Sequence, residues 1–111
     1  MHELSIAQSI CESVRSHLPD GRRALSVTVE CGALSGVVPE ALETVFDFAA
    51  QAAELPGLEL ELKRLEARAR CPACGHVFSA DSMWVVCPEC EHGPVTFEGG
   101  RELKIMEIEV E

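Results

Sequence analysis

Four cysteines carry the clearest chemical signal in this sequence. They form two C-x2-C pairs, Cys71 with Cys74 and Cys87 with Cys90, separated by the twelve residues 75–86. A tight turn across each pair places both sulfurs on one side of the backbone, and a hairpin then brings the pairs together around one ion. Zinc is the usual ion of such a tetrahedral site. Because all four positions are filled by protein, the site is expected to be structural.

The residues around the cysteines fit these turns unequally. Pro72 and Pro88 preset φ after the first cysteine of each pair, and Gly75 permits the positive φ that lets N–H groups point at sulfur. Glu91 stands where the second turn would have the same glycine. We therefore expect weaker geometry in the second turn, partly relieved by Gly93, with no ligand lost.

Other uses of four cysteines stay open at this point. Two disulfides would suit a small secreted protein, but His2 and Glu3 stand where a signal peptide has its basic region, and no apolar region follows. A rubredoxin-like iron site uses similar turns and would make the protein an electron carrier. A zinc-ribbon adaptor that transports no metal is a further alternative.

Length and charge limit the classes of function. With 111 residues the chain is one ordinary domain, or a small domain carrying a module that needs its ion to fold. The formal net charge is -10, and four thiolates with one Zn2+ take it to about -12, which disfavours nucleic acid and favours metal ions and basic protein surfaces. With no export signal and no apolar run long enough for a bilayer, a soluble cytoplasmic protein is expected.

The start of the chain offers a second set of metal-binding groups. Met1 should be retained because His2 is too large for the aminopeptidase that removes methionine. The Met1 α-amine, the His2 backbone nitrogen and the His2 imidazole can then form two fused chelate rings, with Glu3 or a neighbouring side chain as fourth ligand. Three nitrogens in a plane favour Ni(II) or Cu(II) over Zn(II). The alternative is that His2 is an ordinary solvated residue.

Hydrophobic periodicity predicts a helix, a strand and a second helix before the cysteines. A capping box of Ser5 and Gln8 is expected to begin the first helix, which ends at the turn 19–21. Strict alternation predicts a half-buried strand over 25–31, and Pro39 begins a second helix that runs to about Glu54. The apolar positions are Leu4, Ala7, Ile10, Cys11, Val14 and Leu18 in the first helix, Leu25, Val27, Val29 and Cys31 in the strand, and Leu42, Val45, Phe46 and Ala49 in the second helix. Cys11 and Cys31 are therefore expected in the core.

Two later strands change the parity of their apolar positions. Leu58, Leu60 and Leu62 give way to Leu65, Ala67 and Ala69, and Leu103 and Ile105 give way to Met106, Ile108 and Val110. Each break marks a bulge or a passage between packing environments. Since both flank the cysteines, the cysteine module is predicted as an insertion between two paired strands of one sheet. The predicted fold is α+β, with two helices packed on a three-stranded sheet formed by 1–66 and 101–111, and a zinc-ribbon-like module over 67–100.

The remaining histidines fit structural roles, and the sequence contains no recognisable catalytic pattern. His17 fits a helix C-terminal cation, and His76 and His92 lie beside the cysteine turns, where they are expected to cover the module. Either of these two could instead supply a missing ligand to the N-terminal site. No catalytic triad order, phosphate loop or open metal site is apparent, so no enzymatic activity is expected.

Several segments together resemble the HypA/HybF family of hydrogenase maturation factors, over essentially the whole chain. They are Met1-His2-Glu3-Leu4-Ser5, residues 32–42 (GALSGVVPEAL), the paired C-x2-C turns and Glu107-Ile108-Glu109-Val110. The resemblance implies a nickel metallochaperone for [NiFe]-hydrogenase, with a two-layer α/β nickel-binding domain and an inserted zinc domain.

The resemblance also assigns ligands and partners. It implies Met1, His2 and Glu3 as nickel ligands and the cysteines of the two turns as ligands of a structural zinc. An acidic residue at the start of the second helix is linked to nickel in the family, and Glu40 occupies about that place. The implied partners are the GTPase HypB and the hydrogenase large-subunit precursor, and the resemblance allows urease maturation proteins and a homodimer as well.

Overall fold

The computed structural model describes residues 2–111, so Met1 lies outside the described residues. Its elements form an elongated molecule of 57 × 22 × 16 Å with two separate three-stranded sheets. In chain order they are α1 (Glu3–His17), β1 (Ala24–Gly32), α2 (Pro39–Ala52), β2 (Glu59–Leu65), β3 (Ala67–Arg70), β4 (Val77–Ala80), β5 (Thr96–Glu98) and β6 (Leu103–Val110). Neither of these two helices is long and apolar enough to cross a bilayer.

The first sheet has the order β2-β1-β6, with β1 in the centre. β1 runs parallel to β2 and antiparallel to β6, and α1 and α2 pack against each other over one face of this sheet. The alternation of β1 follows from this arrangement, because Val27 and Val29 are buried beneath the helices. The predicted α+β fold of two helices on a three-stranded sheet is confirmed.

The core of this layer contains both cysteines that lie outside the C-x2-C pairs. Cys11 is fully buried on α1, and burial raises the pKa of its thiol. Cys31 is buried on β1, where its Sγ lies 3.7 Å from the Ser35 hydroxyl. Their expected place in the core is confirmed.

The ends of both helices differ from the sequence prediction. The Ser5 and Gln8 capping box is wrong, because α1 begins at Glu3 with His2 as N-cap and places Ser5 inside the helix. This earlier start leaves Leu4 40% exposed, whereas Glu3 is buried. The C-terminus of α2 also differs from the prediction. The helix ends at Ala52, two residues before Glu54, whose φ of 62° lies in the left-handed region.

The two breaks in alternation have different causes. The first is a passage between sheets, because β2 ends at Leu65, Glu66 belongs to no strand, and β3 begins at Ala67 in the second sheet. The second is a bulge inside β6, where Met106 has no partner on β1. The prediction that the module interrupts two paired strands is wrong in one respect, since β2 and β6 lie on opposite sides of β1 and do not pair with each other.

The cysteine module has a sheet of its own, which the sequence analysis did not predict. β3 lies in its centre and pairs antiparallel with β4 and β5. Ala67, Ala69 and Ala80 supply buried small side chains between these short strands. So few buried side chains, all of them small, explain why such a module depends on cross-linking by a metal.

The two sheets meet through backbone hydrogen bonds of the loop that follows β1. The N–H of Gly32, the last residue of β1, donates to the Glu102 carbonyl at 2.7 Å, and in the loop the N–H groups of Ala33 and Leu34 donate to the carbonyls of Leu65 at 2.8 Å and Gly100 at 2.6 Å. The approach requires glycine, because a Cβ on Gly32 would collide with the Gly100 carbonyl. A Cβ on Gly100, whose φ is +85°, would lie 2.5 Å from the Ala67 Cβ.

We expect Gly100→Ala to lower the free energy of unfolding by about 1–3 kcal/mol more than Gly21→Ala, measured by denaturant titration of zinc-loaded protein. Gly21 has a φ of +75° but nothing within 4 Å of an added Cβ, so its substitution costs only the left-handed strain of about 1–2 kcal/mol. Equal losses for the two variants would show that the junction is not closely packed.

Candidate metal centre

The two C-x2-C turns have the same backbone geometry. In the first turn the Gly75 N–H donates to the Cys71 carbonyl at 2.8 Å, and the Cys71 N–H donates to the His76 carbonyl at 2.9 Å. The second turn repeats both bonds, at 2.8 and 3.0 Å, with Cys87, Glu91 and His92. The two turns thus form a matched pair, and the expectation of weaker geometry in the second turn is wrong, because Glu91 makes the same backbone hydrogen bond as Gly75.

The four sulfur atoms of the turns form one cluster, with all Sγ atoms within 4.8 Å of one another. Cys71 Sγ lies 3.5 Å from Cys90 Sγ, and Cys74 Sγ lies 3.6 Å from Cys87 Sγ. A tetrahedral ion with bonds of about 2.3 Å to sulfur separates its ligands by about 3.8 Å, so the donor set fits one such ion. None of the six cysteines forms a disulfide, which removes that alternative for this structure.

The protonation of these thiols reflects their backbone contacts. Burial acts to raise the pKa of the Cys71 thiol. Hydrogen bonds from the N–H groups of Cys74 and Ala73 outweigh this effect and lower the pKa to about 6. The His92 N–H acts to lower the pKa of Cys90, but the hydrogen bond to Cys71 Sγ and desolvation together raise it to about 12. A metal ion that binds these sulfurs would displace the protons of their thiols.

Glu91 differs from Gly75 in side chain but not in backbone conformation. Its φ is 61° and that of Gly75 is 79°, so both occupy the left-handed region. That region costs a residue with a Cβ about 1–2 kcal/mol. Glu91 therefore places strain in the second turn and leaves the sulfur positions intact.

The two histidines beside the turns do not belong to the sulfur cluster. The His76 ring stacks on Phe78 with centroids 5.7 Å apart and planes at 15°, and His92 is exposed. Both contribute their backbone to the turns, as described above. Among residues 2–111, the four cysteines are the only group of three or more His, Cys, Asp or Glu side chains placed to share an ion.

At the start of the chain, His2 and Glu3 have different environments. His2 is exposed as the N-cap of α1, and its carbonyl accepts the Ile6 N–H at 3.0 Å. Glu3 is 8% exposed, and its Oε2 accepts the Val38 N–H at 3.1 Å, which lowers the pKa of the Glu3 carboxyl below 4.5. Met1, the other residue expected here, lies outside the described residues.

The contact between Glu3 and Val38 compensates for a missing side-chain cap at the start of α2. Val38 is the N-cap of α2, and its side chain cannot accept hydrogen bonds from the helix N-terminus. A carboxylate from another element meets this need and is favoured by the positive end of the helix dipole. From the sequence, Glu3 was predicted only as a metal ligand, so this second role was missed.

Glu40, also expected near nickel, is exposed at the start of α2. Its Oε2 lies 3.3 Å from Arg64 Nη2, and the Glu43 carboxylate lies 3.8 Å from the same nitrogen. The described structure therefore places Glu40 in an ion pair with the end of β2 rather than in a ligand group with His2 and Glu3.

The fold and the site define a class of protein. It is a small α+β protein with an inserted zinc-ribbon-like module whose four cysteines form one cluster. Residues 1–110 match the sequence family described as "Hydrogenase/urease nickel incorporation, metallochaperone, hypA". The chain belongs to this HypA family.

Relatives named "Hydrogenase maturation factor HypA" match along the whole chain. Those from Geobacter metallireducens and Geobacter sulfurreducens are 40% and 39% identical over 111 residues, covering 100% of both chains in each case. That from Chlorobaculum tepidum is 35% identical over 113 residues, again with 100% of both chains covered. The resemblance stated from the sequence is confirmed.

A solved structure supports the fold. The solution structure of the Ni metallochaperone HypA from Helicobacter pylori matches with a TM-score of 0.57 and 23% identity, covering 98% of this chain and 97% of that one. At this identity the likeness concerns the arrangement of the elements alone.

We expect Glu91→Gly to raise the stability of the zinc-loaded protein by about 1 kcal/mol, because glycine adopts the left-handed conformation without a Cβ penalty. The matched control is Gly75→Glu, which places the same side chain in the first turn and should lower stability by a similar amount, since an added Cβ at Gly75 meets nothing within 4 Å. Denaturant titration at fixed zinc measures both. A loss of stability in Glu91→Gly would contradict the assignment of strain.

Proposed function

We propose that this protein is a nickel metallochaperone that delivers Ni(II) during maturation of [NiFe]-hydrogenase, with a structural zinc ion in its sulfur cluster. The observation that carries the proposal is membership of the HypA family over residues 1–110. The distribution of metal-binding groups supports it, because the cluster leaves no position for exchangeable cargo and the exposed His2 lies outside it.

Zinc is the ion proposed for Cys71, Cys74, Cys87 and Cys90. Two of these side chains are buried and all four point at one centre, so an ion there is fully coordinated by protein. Such a site cross-links the short strands of the module and does no chemistry on a substrate. Iron in the same donor set would give a coloured protein, so metal analysis of colourless purified protein separates the two ions.

Nickel is proposed to bind at the start of the chain, through Met1, His2 and Glu3. The exposed position of His2 leaves its imidazole free to take part in a chelate with backbone nitrogen. Glu3 stands beside it on α1 and is held in place by the Val38 N–H. Glu40 would have to leave Arg64 before it could contribute, so we assign it at most a secondary role.

A site of this kind suits transfer of an ion. Only a few ligands hold the ion, and they lie at the N-terminus of α1, where the helix dipole opposes a cation and the Glu3 carboxylate offsets that effect. A partner can therefore remove the ligands one at a time. We propose a HypB-type GTPase and the hydrogenase large-subunit precursor as partners, with urease maturation proteins as further candidates, in the cytoplasm and without catalysis by this chain.

We propose that the two metals bind in different domains. Residues 1–66 and 101–111 form the nickel-binding domain, and residues 67–100 form the zinc-binding domain. The passage between sheets at Glu66 supports the first limit, and the close approach of Gly100 to Ala67 supports the second.

We expect His2→Ala to abolish nickel binding while zinc content and secondary structure stay unchanged. The reason is that the imidazole closes the chelate, whereas its side chain makes no core contact. Nickel titration calorimetry on protein with a native, untagged Met1 measures the effect, and His17→Ala, an exposed histidine at the other end of α1, is the matched control. Unchanged nickel affinity in His2→Ala would overturn the N-terminal assignment.

We expect Glu3→Ala to lower the melting temperature more than Glu3→Gln, because the glutamine amide oxygen can still accept the Val38 N–H. The native Glu3 carboxyl has a lowered pKa, so its stabilising contribution is present above about pH 4.5 and is lost as pH falls through that lowered value. The difference in melting temperature between wild type and Glu3→Gln should therefore shrink on acidification. A difference that does not change with pH would show that the carboxylate charge is not used.

A further inference from the structure

The second sheet carries a basic face on the side away from the sulfur cluster. Arg68 and Arg70 are exposed, and they alternate along the chain with the buried residues Ala67, Ala69 and Cys71. Because alternate residues of a strand point to opposite faces, the two arginines point away from the face to which Cys71 belongs. Their charge is therefore not placed to neutralise the sulfur cluster, and this face needs another explanation.

Neither guanidinium group has a partner in the part of the chain that the structure describes. Arg68 and Arg70 form no ion pair and no side-chain hydrogen bond with residues 2–111. Four other arginines do contact a carboxylate or a backbone carbonyl, namely Arg15, Arg22, Arg23 and Arg64. The chain has 19 acidic residues, so carboxylates are plentiful, yet none is bound here. These two cations are therefore available to a ligand from outside.

Arg70 has no charged neighbour across the sheet. The strand register places it between Val77 on β4 and Thr96 on β5. The Thr96 hydroxyl donates to the Arg70 carbonyl at 3.2 Å, and β3 is hydrogen-bonded to a strand on each side. The guanidinium of Arg70 therefore extends from a backbone that is held in place, and its charge is uncompensated.

Arg68 has one acidic neighbour. It lies between Ser79 on β4 and Glu98 on β5, and the Glu98 carboxylate forms no ion pair with it. Both arginines line a hollow of about 350 Å³, together with Thr96 and Glu98. Glu98 therefore lowers the positive potential at one end of this hollow, and an acidic ligand has to bind against that repulsion.

We propose that Arg68 and Arg70 bind an extended acidic segment of another protein, in which carboxylates occur at alternate residues. Two residues along a strand span about 6.6 Å, and side chains at alternate positions of an extended peptide have the same spacing. Each guanidinium can then hold one carboxylate in a bidentate pair. The hollow beside the two arginines gives such a segment room to lie along β3.

The charge of the whole chain favours a peptide over a nucleic acid as the ligand. The formal net charge is -10, and a nucleic acid carries a negative charge at every phosphate along its length. Beyond the two arginines those phosphates would be repelled. A peptide can restrict its negative charge to the residues that meet Arg68 and Arg70, with uncharged residues elsewhere.

Amide NMR titration of the zinc-loaded protein at low ionic strength tests this site. The probe is an acetylated and amidated octapeptide of serine and threonine, with glutamate at positions three and five. We expect saturable chemical-shift changes at residues 68–70, 77 and 96. The Kd should rise about fivefold between about 20 and about 200 mM salt, because salt screens exposed charges.

Variants of the face separate specific pairing from the effect of net charge. Arg70→Gln should raise the Kd about fivefold, and Arg70→Lys about twofold, because lysine keeps the charge but loses the bidentate geometry. Glu98→Gln removes the repulsion beside Arg68 and should lower the Kd about twofold. The matched control is Lys104→Gln, which removes an exposed base from the first sheet and should leave the Kd unchanged.

A second peptide of the same composition tests the spacing of the carboxylates. Its glutamates stand at positions three and six, so they point to opposite faces of an extended chain, and the Kd should be about threefold higher. The proposal is overturned by unchanged amide shifts along β3, by equal affinity for the two peptides, or by equal effects of Arg70→Gln and Lys104→Gln. Tighter binding of an eight-nucleotide oligothymidylate would also overturn it, in favour of nucleic acid. Zinc content and the amide spectrum confirm folding, and no nickel is added, so the result is independent of the proposed metal delivery.

Discussion

Backbone hydrogen bonding by the loop between β1 and α2 is the constraint on which the arrangement of this molecule depends. Gly32 at the end of β1 and the first two residues of the loop, Ala33 and Leu34, form hydrogen bonds with the two chain segments that enter and leave the cysteine module. The last residue of the loop, Val38, binds the Glu3 carboxylate at the start of α1. One short loop therefore contacts both regions that carry metal-binding groups. The contacts are made by backbone atoms, and the close approach at Gly32 and Gly100 explains why side chains are absent there.

The sulfur cluster and the proposed nickel-binding region at the start of the chain differ in how completely the fold encloses them. The sulfur cluster is held by two turns with matching hydrogen bonds, and those turns bring all four donor atoms within 4.8 Å of one another. At the chain start, His2 is exposed and only Glu3 is fixed by a contact with another element. A closed site retains its ion because every ligand must leave together, whereas an open site exchanges its ion because ligands can leave singly. Under the proposed function, the fold thus separates a structural role from a transport role within 111 residues.

Local patterns predicted those parts of the fold where each residue's environment follows from its neighbours in sequence. The stripe of α2 and the positions of Val27 and Val29 in β1 were correct because one face of each element packs against a single core, whereas Ala24 takes the core position that Leu25 was predicted to have. The start of α1 was wrong because a buried Glu3 was not considered as part of the helix, since buried carboxylates depend on a partner that is distant in sequence. The second sheet was missed because β3, β4 and β5 have only three or four residues each, too few for a periodic signal.

The sequence by itself determined the donor atoms of the sulfur cluster, the left-handed position at Gly75 and the family, because spacing and residue type act over a few residues. Only the tertiary structure decided that Glu3 binds Val38, that Glu40 binds Arg64 and that β2 and β6 lie on opposite sides of β1. It also decided that one parity break is a passage between sheets and the other a bulge. These features depend on which segments meet in space, and alternation along one strand does not contain that information.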